Sequence, residues 1–145
     1  MAHGKLAPLQ GAAIYPSLHG KRVIISGGGS GIGAGIVEGF VRQGARVAFV
    51  DVQTEPSEAL MQELQGAAYE PLFLHCDITD CDDYAAKLAT FVDELGGCDV
   101  LINNAANDDR HKLADVTPAY WDERMAVNLK HQFFAAKAVV PSMQE

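Results

Sequence analysis

Basic residues are scarce in this chain: 11 lysines and arginines stand against 19 aspartates and glutamates, for a formal net charge of −8. That balance argues against nucleic acid or an anionic membrane surface as a partner. Long apolar runs are missing too, with no stretch near the ~18 residues of a membrane span. Residues 1–13 (MAHGKLAPLQGAA) hold no apolar segment of a secretory signal and read as a flexible leader. Cysteine is sparse: Cys76, Cys81 and Cys98 are odd in number and form no C-x-x-C pair. Reduced thiols in a cytoplasmic setting are therefore expected. The five histidines are scattered without ligand spacing, and Asp80-Cys81-Asp82-Asp83 lacks the glycine and terminal glutamate of a calcium loop. No metal site is expected.

What is present is the composition of a folded domain. Apolar residues make up 48% of the 145 and charged ones 21%, enough for one core spanning residues 14–145. The chain is organised around Lys21 to Ala34, KRVIISGGGSGIGA. A β-branched run (Arg22 to Ser26) enters a glycine cluster in which an apolar helical pattern begins. A helix N-terminus leaves its first N–H groups unpartnered and carries partial positive charge, and glycines let an anion approach the backbone. Pyrophosphate suits such a turn. The G-x-G-x-x-G/A spacing fits only as Gly29, Gly31 and Ala34, and close helix–strand packing would also explain the glycines. Asp51 strengthens the nucleotide reading. It ends the next strand-like run, about 20 residues on, where an acid accepts from adenine ribose hydroxyls.

The remaining elements alternate. Ile32, Ile36, Val37, Phe40 and Val41 fall on one face of the first helix, which Gly44 stops; Gly35 and Gly39 inside it suggest close packing on the sheet. Thr54 is placed to cap a second helix with Ala59, Leu60, Met61 and Leu64. Pro71–Asp77 reads as a third strand ending in an acid. Asp80 caps a third helix with the stripe Tyr84, Leu88, Phe91, Leu95, closed by Gly96-Gly97. Asp99–Ile102 forms a fourth strand that delivers Asn103-Asn104-Ala105-Ala106, and a polar loop follows, Asn107 to Lys112. Thr117-Pro118 then starts a long helix carrying Trp121, Met125, Asn128, Phe133, Phe134 and Val139. Strands alternating with helices predict an α/β fold, a doubly wound parallel sheet whose ligands lie beyond the carboxyl ends of the strands. Asn128 is either buried with polar partners or on the exposed side of its helix. The loop is either a set of contacts for sugar hydroxyls, with Asn107 and Asp108 foremost, or a solvated loop with local salt bridges.

These residues resemble the short-chain dehydrogenase/reductase family. Its T-G-x-x-x-G-x-G motif is matched by Ser26-Gly27-Gly28-Gly29-Ser30-Gly31-Ile32-Gly33, with serine for threonine. Its Asn-Asn-Ala-Gly motif is matched by Asn103-Asn104-Ala105-Ala106, with alanine for the last glycine, and its helical active-site asparagine by Asn128 in Val127-Asn128-Leu129. The resemblance implies a Rossmann-type fold and a nicotinamide cofactor. It implies cofactor contacts at Gly27, Ser30, Gly31, Ile32, Gly33, Asp51, Asp77, Ile78, Asn104 and Ala105, with Asp77 and Ile78 at the adenine. AIYPSLHGKRV and NDDRHKLADVTPAYWDER are similar to bacterial family members that oxidise D-xylose to its lactone with NAD. A sugar or polyol substrate and a homo-oligomer, usually a tetramer, are further implications.

The departure from the family is equally plain. Its Tyr-x-x-x-Lys pair and catalytic serine have no counterpart here, leaving Asn128 alone of the catalytic group. At ~30 residues per strand–helix unit the length accommodates four units of a six-strand fold. The chain therefore reads as the cofactor-binding half of a dehydrogenase, inactive by itself. Two alternatives stay open: a non-catalytic nucleotide-binding or regulatory module, and, more distantly, a methyltransferase using S-adenosylmethionine.

Overall fold

A computed structural model describes residues 11–145. The expected leader, 1–13, thus lies outside the described residues up to position 10. Ala13 and Tyr15 are held by Gln43, whose amide donates to the Ala13 carbonyl (2.8 Å) and accepts from the Tyr15 N–H (2.8 Å).

Four parallel strands form one sheet: β1 (Arg22–Ser26), β2 (Arg46–Asp51), β3 (Leu72–His75) and β4 (Val100–Asn103), in the order β3-β2-β1-β4. Alternate side chains of the central strands point to opposite faces, and both faces are apolar because both are covered. Val23, Ile25, Val47 and Phe49 pack with Val37 and Val41 of α1 (Gly31–Arg42) and Leu60 of α2 (Thr54–Glu63). On the other face Ile24, Ala48 and Val50 meet Tyr84, Leu88, Phe91 and Leu95 of α3 (Cys81–Leu95). Ala135 and Val139 of α5 (His131–Met143) complete that layer. Between β4 and α5 lie α4 (Pro118–Met125) and a π-helical turn, Ala126–Lys130.

The local signals behave as their chemistry dictates at most boundaries. Asp80 caps α3 by accepting from the N–H groups of Asp82 and Asp83, and Gly96 ends it in the left-handed region at φ 76°. Thr117 caps α4 through the Tyr120 N–H. At the opposite end of the sheet from the glycine turn, Arg22 joins Asp99 in a two-pronged ion pair (Nε–Oδ2 and Nη2–Oδ1, both 2.9 Å) and also donates to the Gly96 carbonyl. That contact holds the carboxyl of Asp99 well below the usual carboxylate range.

Several expectations are corrected. Ile32 is not on the packed face of α1 but 81% exposed, because the first turn of the helix overhangs the ends of the strands. Gly35 and Gly39 do not mark close packing, since a Cβ at either would meet nothing within 4 Å. Thr54 does not cap α2; Gln53 stands at the cap without a side-chain bond, and the Ser57 hydroxyl donates to its carbonyl (2.6 Å). The third strand ends at His75, so Asp77 lies in the following loop, and the fourth runs one residue later than expected. The expected long helix runs from Pro118 to Met143 with the π turn inside it, and Trp121, Met125 and Phe133 are exposed. The apolar period of 3.6 does not survive that turn.

Candidate functional site

The carboxyl ends of β1, β2 and β4 converge on one cleft. The chain leaves β1 through Gly27 at φ 68°, and the N–H groups of Gly27 and Gly28 are drawn to the Val50 carbonyl (2.8 and 3.2 Å). This stitches the glycine turn to the end of β2. The turn then enters α1 so tightly that a Cβ on Gly33 would overlap the Gly27 carbonyl. Gly31 also takes a positive φ, 54°, so Gly27, Gly31 and Gly33, the glycines of the S-G-x-x-x-G-x-G reading, each need to be glycine, and a Cβ at Gly28 or Gly29 would press on Phe49 or Ser57.

The N-terminus of α1 is left bare. Ser30 stands at the cap without a side-chain bond, and no acid occupies the first turn. The contrast with α3, capped by Asp80 and carrying Asp82 and Asp83, is physical: α3 satisfies its own dipole, while α1 presents its positive end to the cleft.

Asp51 ends β2 at 8% exposure, and its two oxygens are aimed by the backbone. Oδ2 accepts from the Gly29 N–H (2.8 Å) and Oδ1 from the Gln53 N–H (2.9 Å). Each oxygen keeps acceptor capacity for a ligand hydroxyl. Beyond β3, Asp77 turns its carboxylate onto the Thr79 N–H and hydroxyl (2.9 and 2.7 Å), and Ile78 is buried beside it. Cys76 also lines the cleft; burial, with Asp83 adding to it, pushes its thiol up to about 12. It is therefore a protonated apolar wall and not a nucleophile.

On the β4 side, Ser26 Oγ accepts from the Asn104 and Ala105 N–H groups (both 3.2 Å). The Asn104 amide donates to the carbonyls of Ser26 (3.1 Å) and Gly27 (2.9 Å). The glycine turn and the Asn-Asn-Ala-Ala segment are one hydrogen-bonded unit. Asn128 takes the partnered alternative. In the π turn, its Oδ1 accepts from the Asn107 N–H (2.8 Å) and its Nδ2 donates to the Asn107 carbonyl (3.0 Å).

The cleft, of about 490 Å³, brings together Gly27, Ser30, Ile32, Gly33, Asp51, Asp77, Ile78, Asn104, Ala105 and Asp108. Gly31, Asn107 and Asn128 are not among the residues that line it. Val52, Gln53, Ala106 and Val127 line it without having been expected to. Two buried polar residues behind β4 were missed as well. His131 lies 3.1 Å from the Ala105 carbonyl through Nε2, and the Tyr84 hydroxyl is buried close to Ser26. Burial pushes the His131 imidazole below its ordinary value and the Tyr84 phenol up to about 12. The spacing His131, Ala135, Val139 was the available signal, since it puts a histidine on a buried helical stripe. A bare helix N-terminus, a glycine cradle and an aimed carboxylate fit a dinucleotide laid across the strand ends. Among the described residues no group of His, Cys, Asp or Glu could hold a metal ion.

Comparison with known proteins agrees with this geometry. The family model for short chain dehydrogenase matches residues 21–145. D-xylose 1-dehydrogenase of Caulobacter vibrioides is 56% identical over 92% of this chain and 52% of its own length. A "probable galactose dehydrogenase" of Rhizobium meliloti is 47% identical over 90% of this chain and 51% of its own. The chain thus spans about half the length of the curated relatives it matches. Among solved structures, a short chain dehydrogenase from Burkholderia cenocepacia in complex with NADP superposes with a TM-score of 0.83 at 27% identity, over 87% of this chain and 52% of the other. An NADH-dependent reductase complexed with NAD gives 0.79 at 30% identity, over 88% and 53%. Fold, cradle and sequence lead to one conclusion: this chain belongs to the short chain dehydrogenase family.

Proposed function

We propose that residues 14–145 form the NAD-binding unit of a dehydrogenase that oxidises a sugar, D-xylose to its lactone foremost. The observation that carries the reading is Asp51, buried at the end of β2 with its carboxylate turned to the cleft. Its charge would accept from ribose hydroxyls and repel a 2′-phosphate, and Val52-Gln53-Thr54-Glu55 holds no cation to offset that repulsion. Gly27, Ser30, Gly31, Ile32 and Gly33 would hold the pyrophosphate at the head of α1. Asp77 and Ile78 would flank the adenine, and Asn104 and Ala105 the nicotinamide side. Bound NAD supplies the hydride acceptor. The chain's own residues position it, and Asn128 would orient a water for the substrate proton. The sugar assignment draws on the identity to the Caulobacter and Rhizobium proteins, and on Asp108 at the cleft for hydroxyl recognition.

The exposed apolar residues Trp121, Met125, Leu129 and Phe133 support a homo-oligomer, a tetramer in the complete enzyme. Buried, unpaired Cys76 and Cys98 support a cytoplasmic setting. Among the described residues no helix is long and apolar enough to cross a membrane. A non-catalytic nucleotide-binding module is the second reading, favoured for these 145 residues alone by their lack of Tyr-x-x-x-Lys.

Calorimetric titration of the chain with NAD, NADP and S-adenosylmethionine tests the assignment. NAD should bind more tightly than NADP, and Asp51→Asn should narrow the difference. Equal affinity for the two, or preferential binding of S-adenosylmethionine, would overturn it. A chain that bound NAD and also turned over D-xylose would refute the expectation of inactivity.

A further inference from the structure

The polar loop after β4 is fastened to the following helical segment at three places, and their spacing is regular. Asn107 is bonded through its backbone to Asn128 (2.8 and 3.0 Å). The carboxylate of Asp109 faces the Arg124 guanidinium (Nη2–Oδ2, 3.4 Å). His111 Nδ1 lies 3.1 Å from the Tyr120 hydroxyl, with the two rings edge to face. On the loop the partners recur every second residue, and on the helical side every fourth, running in the opposite direction. Four helical residues advance ~6 Å and two extended residues ~6.6 Å, so the two rows stay in step. The middle member is tied to the last as well: the Arg124 guanidinium stacks 4.7 Å over the Tyr120 ring and is only 17% exposed.

We propose that these contacts form a polar zipper that fixes the register of the loop, turns Asp108 into the cleft as its ligand-facing residue, and makes Tyr120 and Arg124 positioning residues for sugar recognition. The last step rests on the dehydrogenase reading above; the zipper itself does not. Asn107, Asp109 and His111 are spent on the helix, and Asn107 Oδ1 further accepts from the Asp109 N–H (3.0 Å). Of the loop residues between them, Asp108 lines the cleft and Arg110 does not. Of the two residues expected to contact the sugar, the proposal keeps Asp108 and withdraws Asn107.

Amide hydrogen exchange on the 145-residue chain tests the zipper. Tyr120→Phe and Arg124→Met should each speed exchange of the Asn107 and Asp109 amides, which donate to Asn128 Oδ1 and Asn107 Oδ1, at least tenfold, with β1 and β2 amides unchanged. Arg124→Lys, which keeps a cation for Asp109, should recover part of the protection. A merely structural Arg124 would lower the unfolding midpoint; here the midpoint should hold, because its Nε and Nη1 are buried without partners. Loop exchange within twofold of the parent in both variants would overturn the zipper, whatever NAD does. For the register, NAD should slow alkylation of an Asp108→Cys variant several-fold and leave Arg110→Cys unchanged; equal slowing of both would overturn it. Faster loop exchange with no NAD effect at either position would uphold the zipper while sinking the cofactor reading.

Discussion

Two glycines on one helix show how differently the same residue type is used. At Gly33 an added methyl would overlap the Gly27 carbonyl and sit 2.7 Å from the Asn104 amide, so the turn and the β4 segment would both have to move. At Gly35, helical and open, the methyl meets nothing. Gly33→Ala should destabilise by about 1–3 kcal/mol and weaken NAD binding with it, whereas Gly35→Ala should stabilise by about 0.5–1 kcal/mol. Urea unfolding of the two variants beside the parent measures both. His131 gives a second expectation. Its folded imidazole titrates below the unfolded value of about 6.5 because burial disfavours the charge. The unfolded chain therefore binds the proton first, and stability falls as pH drops through the window beneath 6.5. Thermal unfolding between pH 7.5 and 5.5 should show that slope, and His131→Gln should flatten it. An unchanged slope would show that other groups dominate.

At the scale of elements, α1 and α3 separate capping for stability from capping for a ligand. Asp80→Ala should cost about 1 kcal/mol, because Asp80 satisfies two N–H groups of α3. Ser30→Ala should leave the unfolding midpoint where it was, since the Ser30 side chain makes no cap bond, yet reduce NAD affinity. Equal stability losses in the two variants would contradict this division. The elements legible in the sequence were those whose signals are local: the β-branched run of β1, the Asp80 cap, and the Tyr84–Leu95 stripe of α3. Ile32 was misplaced because the period that puts it beside Val37 says nothing of where the sheet ends. The π turn escaped because its widened winding carries no residue signature, and the approach of Tyr84 to His131 (ring centroids 6.4 Å) because the stripes that bury them lie on different helices. The loop–helix pairing escaped for the same reason, since it depends on two segments brought side by side.

For the molecule as a whole, the sheet ends at β4, whose Val100, Leu101 and Ile102 are only partly covered. An apolar strand with one unpaired side is a template for another chain. The 145-residue chain should therefore self-associate as concentration rises, followed by light scattering. Leu101 packs against the α3–α5 layer and Val100 against the α1–α2 layer, so Val100→Thr, which keeps the branched shape, is the gentler probe and should reduce association. A chain monodisperse at high concentration would show that the edge is protected.

The Arg22–Asp99 ion pair has a consequence for how the molecule is made. The first three strands and their helices follow one another along the chain, so they can dock as they emerge during synthesis. β4 must return past all of them to lie against β1, and its ion pair joins positions 77 residues apart. Closing so long a loop carries an entropic penalty that local pairings avoid. The pair is therefore expected to close late in folding, as a clasp that resists reopening. Asp99→Asn should consequently accelerate unfolding far more than it slows refolding in stopped-flow chevrons; the reverse partition would place the clasp in the nucleus. On this view, Arg22 and Asp99 lengthen the lifetime of the assembled sheet, and the speed of its assembly is set elsewhere.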